Sequence, residues 1–384
     1  MKPLAFLAFV LLALPAAAPA QLNSAERRMA QVAEQEKERS IGLLERLVNQ
    51  NSGTLNLQGV QAVGQMVREE LEPLGFTVRW ADMRETGRAG HLIATHRGNG
   101  RGKRVLLIAH LDTVFEPDSP FQRFTREGNR AVGPGVGDDK GGIVVIIAAM
   151  RAMQAAGTLR NADITIVMTG DEERPGSPLE VARRDLIEAG RNAEAALEFE
   201  NLARENGRDF GTVARRSSTS WTLRTRGRTG HSSAIFGEGL GYGAIYEMAR
   251  ILDAFRRELP EPNLTYNVGV IAGGTPAEID AQGLCVTASG KTNIVAETAI
   301  ARGDIRTLTA EQEQRVRERM QAIVAQHLPH TQAELVFAED GYPPMPPSEG
   351  NRRLLARLNE VNRDLGLPEM PEYDPGRRGA ADSS

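Results

Sequence analysis

Cysteine is almost missing from this chain of 384 residues. Cys285 stands alone, so no intrachain disulfide can form, and stability must come from an apolar core and any bound metal. Aromatic residues make up only 5% of the chain, too few for a surface that stacks bases. Charge of neither sign dominates. The formal net charge is −4 with no long single-sign block, which argues against nucleic acid as a partner. The apolar run Leu4–Leu14 is too short to span a membrane comfortably. It follows Met1-Lys2 and leads into Pro15-Ala-Ala-Ala-Pro-Ala20, the build of a secretory leader cut near Ala20. The expected location is therefore periplasmic or secreted, with no membrane attachment after cleavage.

What is present is the composition of a folded protein, 41% hydrophobic and 25% charged, long enough for two domains. Apolar stripes at helical spacing predict helices over 24–50, 60–74, 141–156 and 179–189. Short runs bounded by Gly and polar residues predict strands over 76–80, 91–96, 105–109, 164–169 and 195–199. Alternating strands and helices imply an α/β domain of three layers. The continuous apolar runs suit strands of a parallel sheet buried on both faces.

Near Gly207 the pattern changes. Residues 219–226 alternate, with Trp221, Leu223 and Thr225 on one side, as in a strand exposed on one face. Helices are expected over 243–259 and 309–327, and strands over 265–271, 298–307 and 333–338. A helix over 350–365 then resumes the first pattern. The expected division is a leader over 1–20, a first domain over 21–212 that resumes over 341–384, and an inserted α+β domain over 213–340.

The chemistry concentrates between Val105 and Glu173. Three stretches there, VLLIAHLDTVF, VGPGVGDDKGG and ITIVMTGDEERPGS, each run from apolar or Gly-rich residues into acid or histidine. In parallel sheets, functional groups collect beyond the carboxyl ends of the strands, where His110, Asp112, Asp138, Glu172 and Glu173 would fall. One imidazole among several carboxylates makes a site for a divalent metal, most simply zinc. His91, His96, His327 and His330 are expected to be structural or surface residues.

His110-Leu-Asp112, Gly135-Val-Gly-Asp138-Asp139-Lys140-Gly141-Gly142 and Asp171-Glu172-Glu173, in that order and spacing, resemble the di-zinc metallopeptidase family of carboxypeptidase G, acetylornithine deacetylase and aminoacylase. The resemblance implies a catalytic domain with an inserted lid and dimerisation domain, and two Zn2+ per subunit. His110 and Glu200 would bind one zinc, Asp138 would bridge both, and Glu173 would bind the second. Glu172 would be the general base and Asp112 would orient the His110 ring. Glu198 lies two residues from Glu200 on the same strand face. Glu200 matches the family position, although Asn201 stands where the family usually has Pro. Gly230-His231-Ser232-Ser233 resembles a lid segment whose histidine serves the partner subunit's site, which implies a homodimer. Asn293 and Arg306 resemble positions that hold a substrate carboxylate. The family's remaining ligand is a histidine after a Gly-rich segment. Gly376–Ser384 resembles that segment, but no histidine follows position 330, so the chain is expected to continue beyond Ser384. The implied activity is cleavage of an amide beside a free carboxylate. The alternatives are deacylation of an N-acyl amino acid and, should the chain end at Ser384, a non-catalytic relative.

Overall fold

A computed structural model describes residues 22–280, 285–339 and 341–384; the expected leader lies outside the described residues. Asn23 caps the first helix through the amides of Ala25 and Glu26, and Glu26 reaches back to the Asn23 amide. The helix expected over 24–50 is two helices, α1 (Ser24–Gln35) and α2 (Lys37–Asn49), broken at Glu36. α3 (Leu57–Leu71) buries Val60, Val63, Val67 and Leu71 completely. Past it Gly75 takes the left-handed φ of +89° that turns the chain into the sheet.

The strands β1 (Thr77–Asp82), β2 (Gly90–His96) and β3 (Arg104–His110) are followed by a small hairpin, β4 (Thr125–Glu127) with β5 (Arg130–Val132). Then come α4 (Lys140–Ala155) and β6 (Asp163–Thr169). The helix expected over 179–189 is divided at Arg183 into α5 (Leu179–Ala182) and α6 (Arg184–Asn192). β7 (Ala195–Glu198) ends two residues before Glu200. The sheet order is β1-β2-β6-β3-β7. β3 runs parallel to β6 and β7, whereas β2 is antiparallel to β1 and β6. The expected parallel sheet is thus mixed. The link over 83–89 is too short for a parallel crossover, which takes a dozen or more residues, so β1 and β2 pair as a hairpin.

Helices cover both faces. Leu107 and Ala109 of β3 join the core beneath α2, α3 and α4, while Leu106 and Ile108 join the core beneath α6. That burial on alternate sides is why the β3 sequence reads as an unbroken apolar run. Each fully buried aliphatic side chain stabilises by about 1.5–3 kcal/mol.

After a two-residue pairing, β8 (Arg204–Glu205) with β9 (Arg208–Asp209), the chain enters a second sheet through β10 (Thr219–Gly227). α7 (Gly243–Glu258), β11 (Thr265–Gly274) and the hairpin of β12 (Ala277–Ile279) with β13 (Val286–Ala288) follow. β14 (Thr298–Arg306), α8 (Ala310–Val324) and β15 (Thr331–Phe337) complete it, in the order β11-β14-β10-β15, all antiparallel. α7 and α8 pack on one face over a separate core around Trp221, Leu223, Phe255 and Met320. Two backbone bridges, Arg215 with Met345 and Ser218 with Tyr342, align the outgoing and returning connections. α9 (Glu349–Asp364) then leads to a segment that runs back along the first sheet, where Thr169 bonds Asp382. No helix of the described residues is long and apolar enough to cross a membrane.

Glu247 on α7 is fully buried. Its oxygens accept from Arg250 at 2.7 Å and from the Leu328 amide at 3.0 Å. Burial alone would push this carboxyl up; the Arg250 guanidinium and the Leu328 amide outweigh it and hold it below the usual range. A carboxyl lowered on folding stabilises above its unfolded pKa of about 4.3, and that stability is lost as pH falls through the folded value. Glu247→Gln should therefore lower stability by about 1–2 kcal/mol at pH 7. In urea titrations the difference from the natural chain should shrink below about pH 4.

Candidate metal and catalytic site

β3, β6 and β7 are parallel, so their carboxyl ends share one edge. His110 is the last residue of β3, the 171–173 loop follows β6, and Glu200 lies just past β7. Asp138 arrives in the loop before α4, whose Gly-rich start permits a close backbone approach: a Cβ at Gly142 would lie 2.2 Å from Asp139 Oδ1. His110, Asp138 and Glu173 each offer a ligand atom, and these atoms lie within 4.8 Å of one another. His110 Nε2 is 2.8 Å from Asp138 Oδ1. An imidazole nitrogen with carboxylate oxygens is a donor set for zinc or a similar divalent ion.

The charges call for a cation. Burial, with Asp382 nearby, pushes Glu172 up to about 9. Burial, with Asp138 close, pushes Glu173 up to about 7. Glu200 is also raised by burial, against the pull of Arg215. One Asp139 oxygen and one Glu200 oxygen are buried without a hydrogen bond. Carboxyls held up in this way are short of positive charge, which a bound dication supplies.

Asp112 does more than the expected orientation of His110. Its Oδ1 is 3.4 Å from His110 Nδ1, and its carbonyl is 3.1 Å from the same nitrogen. Its carboxylate also accepts the amides of Glu172 at 3.1 Å and Glu173 at 3.2 Å, and the Thr54 hydroxyl at 2.6 Å. The contact with His110 does not come from strand alternation, because β3 stops at His110 and the chain turns there. Thr54 carries no motif, and only the fold brings it to the site.

Glu198 is committed elsewhere. It pairs with Arg215 at 2.6 Å and accepts the Ser383 hydroxyl at 2.7 Å. Glu200 is 3.5 Å from Arg215 and is the freer of the two, although it stands outside the close triple. Arg378 donates to the Glu200 carbonyl at 2.8 Å, so the Gly376–Ser384 segment borders the site. Arg215 and Arg378 are not legible in the sequence, because a pair of distant arginines has no sequence signature.

The remaining expected residues lie in the second sheet and its loops. His231 is exposed, with Nδ1 2.8 Å from the Ser233 hydroxyl. The Ser232 amide donates to the Asn293 carbonyl at 2.9 Å, so the segments that carry His231 and Asn293 lie side by side. Arg306 pairs with Asp304 at 2.9 Å and faces Gly379, where a Cβ would lie 3.2 Å from its Nη1. Of the other histidines, His91 is buried against the Ala182 carbonyl at 2.8 Å, and His330 is exposed.

Residues 106–384 match the model of peptidase family M20/M25/M40. Carboxypeptidase G2 of Pseudomonas sp. (strain RS-16) is 28% identical over 352 residues, 88% of this chain and 78% of that protein. A succinyl-diaminopimelate desuccinylase of Xylella fastidiosa (strain M12) is 31% identical over 197 residues, 48% of each chain. The crystal structure of aminopeptidase PepT from Bacillus cereus superposes with a TM-score of 0.71 at 18% identity, covering 90% of this chain and 86% of the other. A dinuclear metal-binding peptidase of Bacillus subtilis superposes at 0.60 with 16% identity, over 91% and 85%.

Thr54→Val removes one grip on Asp112 and leaves every ligand in place. Loss of such an outer contact typically weakens metal affinity by about 10-fold to 100-fold. Competition with a chelator should show that loss with an unchanged circular dichroism spectrum, and His110→Ala should lose more.

Proposed function

Because the chain belongs to peptidase family M20/M25/M40 and is a metallopeptidase or amidohydrolase, we propose that it is a two-zinc exopeptidase of the carboxypeptidase G kind. In this reading it cleaves an amide beside a free carboxylate and releases an amino acid. The observation that carries it is Glu172, half-buried next in sequence to Glu173 of the His110–Asp138–Glu173 triple, with its carboxyl pushed up to about 9 chiefly by burial. Its carboxypeptidase-like direction draws on the relative that matches 88% of the chain.

In this account His110, Asp138 and Glu200 would hold one zinc, and Asp138 and Glu173 would hold the other. Bound zinc lowers the pKa of water and polarises the scissile carbonyl. Glu172 accepts the attacking water's proton and passes it to the departing amine. Asp112 keeps Glu172 and Glu173 in register through their amides. Arg306 and Asn293 hold the substrate carboxylate, for which the arginine fork is suited. His231 stabilises the oxyanion in the site of a second copy; its exposure leaves it free to reach one. Residues 213–340 then act as lid and dimerisation unit, and residues 1–20 as the leader of an exported protein.

A second reading, deacylation of N-acyl amino acids, is favoured by the desuccinylase relative. Turnover by the zinc-loaded protein separates the two. Dipeptides or N-aroyl-glutamates should be hydrolysed with a higher kcat/KM than N-acetyl or N-succinyl amino acids; turnover of the latter alone would sink the peptidase reading. Glu172→Gln should lower kcat by about 10²–10⁴-fold, the range for loss of a general base.

A further inference from the structure

Behind the 171–173 loop lies a buried charged group that binds no expected ligand. Arg183, at the break between α5 and α6, is 7% exposed and sits between two buried carboxylates. Its Nη1 donates to Asp171 Oδ1 at 2.6 Å, and Asp382 Oδ1 lies 3.1 Å from its Nε. Its Nη2 donates to the Asp171 carbonyl at 3.1 Å and to the Tyr342 hydroxyl at 2.6 Å. That hydroxyl lies 3.1 Å from the Glu172 carbonyl and 3.2 Å from Asp382 Oδ1, so its one proton serves the two acceptors.

The loop is thus held on two sides. Asp112 takes the amides of Glu172 and Glu173, and Tyr342 takes the carbonyl of Glu172. Tyr342 is also the residue whose backbone pairs with Ser218, at 3.0 Å in both directions, where the chain returns from the second sheet. A shift of that connection must therefore move either the hydroxyl or the Glu172 backbone.

We propose that Arg183, Tyr342 and Asp382 form a positioning network that fixes the Glu172 loop and makes its geometry depend on the connection between the two sheets. The proposal rests on the reading of Glu172 as the base. None of the three belongs to the ligand triple; the Tyr342 hydroxyl reaches the Glu172 carbonyl, and Arg183 and Asp382 hold that hydroxyl. Arg183 cannot be exchanged for lysine here, because one ammonium cannot span Asp171, Asp382 and Tyr342 as the planar fork does.

Tyr342→Phe removes one hydroxyl and keeps the ring. Amide hydrogen exchange of residues 171–176 in the full-length protein should accelerate, while the core around Trp221 stays protected. With zinc loaded, kcat should fall by roughly 10-fold to 100-fold, with KM and bound metal unchanged. Asp382→Asn should act in the same direction, and Arg183→Lys should not retain the natural kcat. Natural exchange and natural kcat in both Tyr342→Phe and Asp382→Asn would overturn the network. A kcat loss matched by metal loss would also overturn it, because it would mark a ligand defect. If the natural chain hydrolyses no amide yet Tyr342→Phe loosens the loop, the network stands and the proposed function fails.

Discussion

Negative charge that the fold gathers and cannot neutralise by itself governs this structure. Asp112, Asp138, Asp139, Glu172, Glu173 and Glu200 converge on one edge of the five-stranded sheet. His110 is the imidazole among them, its protonated form favoured by Asp112 and Asp138 although burial opposes it. Leaving carboxylates buried without a cation is costly, and burial raises Asp139, Glu172, Glu173 and Glu200 above the usual carboxylate range. The same arrangement becomes favourable when a divalent ion enters. The rest of the first domain is a device for holding these groups still while that exchange occurs.

The scaffold works by division of labour. The parallel trio β3, β6 and β7 sets the spacing of His110, the 171–173 loop and Glu200. Asp112 then ties the ends of β3 and β6 together through two amides and Thr54. Arg183 answers from the opposite side with a guanidinium between two carboxylates. A buried cation of this kind contributes little net stability, since desolvation offsets the attraction. It does fix a geometry, and the proton transfer proposed for Glu172 would depend on geometry held to within about an ångström.

Much of this is legible in the sequence. Strands such as β3 are readable because both faces are buried, and the 105–109 run was placed within one residue at each end. The His110, Asp138 and Glu173 motifs are local in sequence and spaced as the site needs, and the three residues converge. The mixed direction of the sheet was missed because apolar runs report burial and not polarity of pairing; the 83–89 link held that information. Long helices were drawn through Glu36 and Arg183 because a stripe persists across a one-residue break. Thr54, Arg183, Tyr342 and Asp382 could not be read. Each is an ordinary residue with a partner between 40 and 213 positions away, and only tertiary packing pairs them.

The central claim is that the acidic edge is a metal site. Anomalous diffraction from crystals of the full-length protein grown with zinc tests it most directly. The account predicts a strong peak bonded to His110 Nε2 and Asp138, with a second bonded to Asp138 and Glu173. A map without a peak among these three residues, at zinc concentrations that saturate binding in solution, would contradict it.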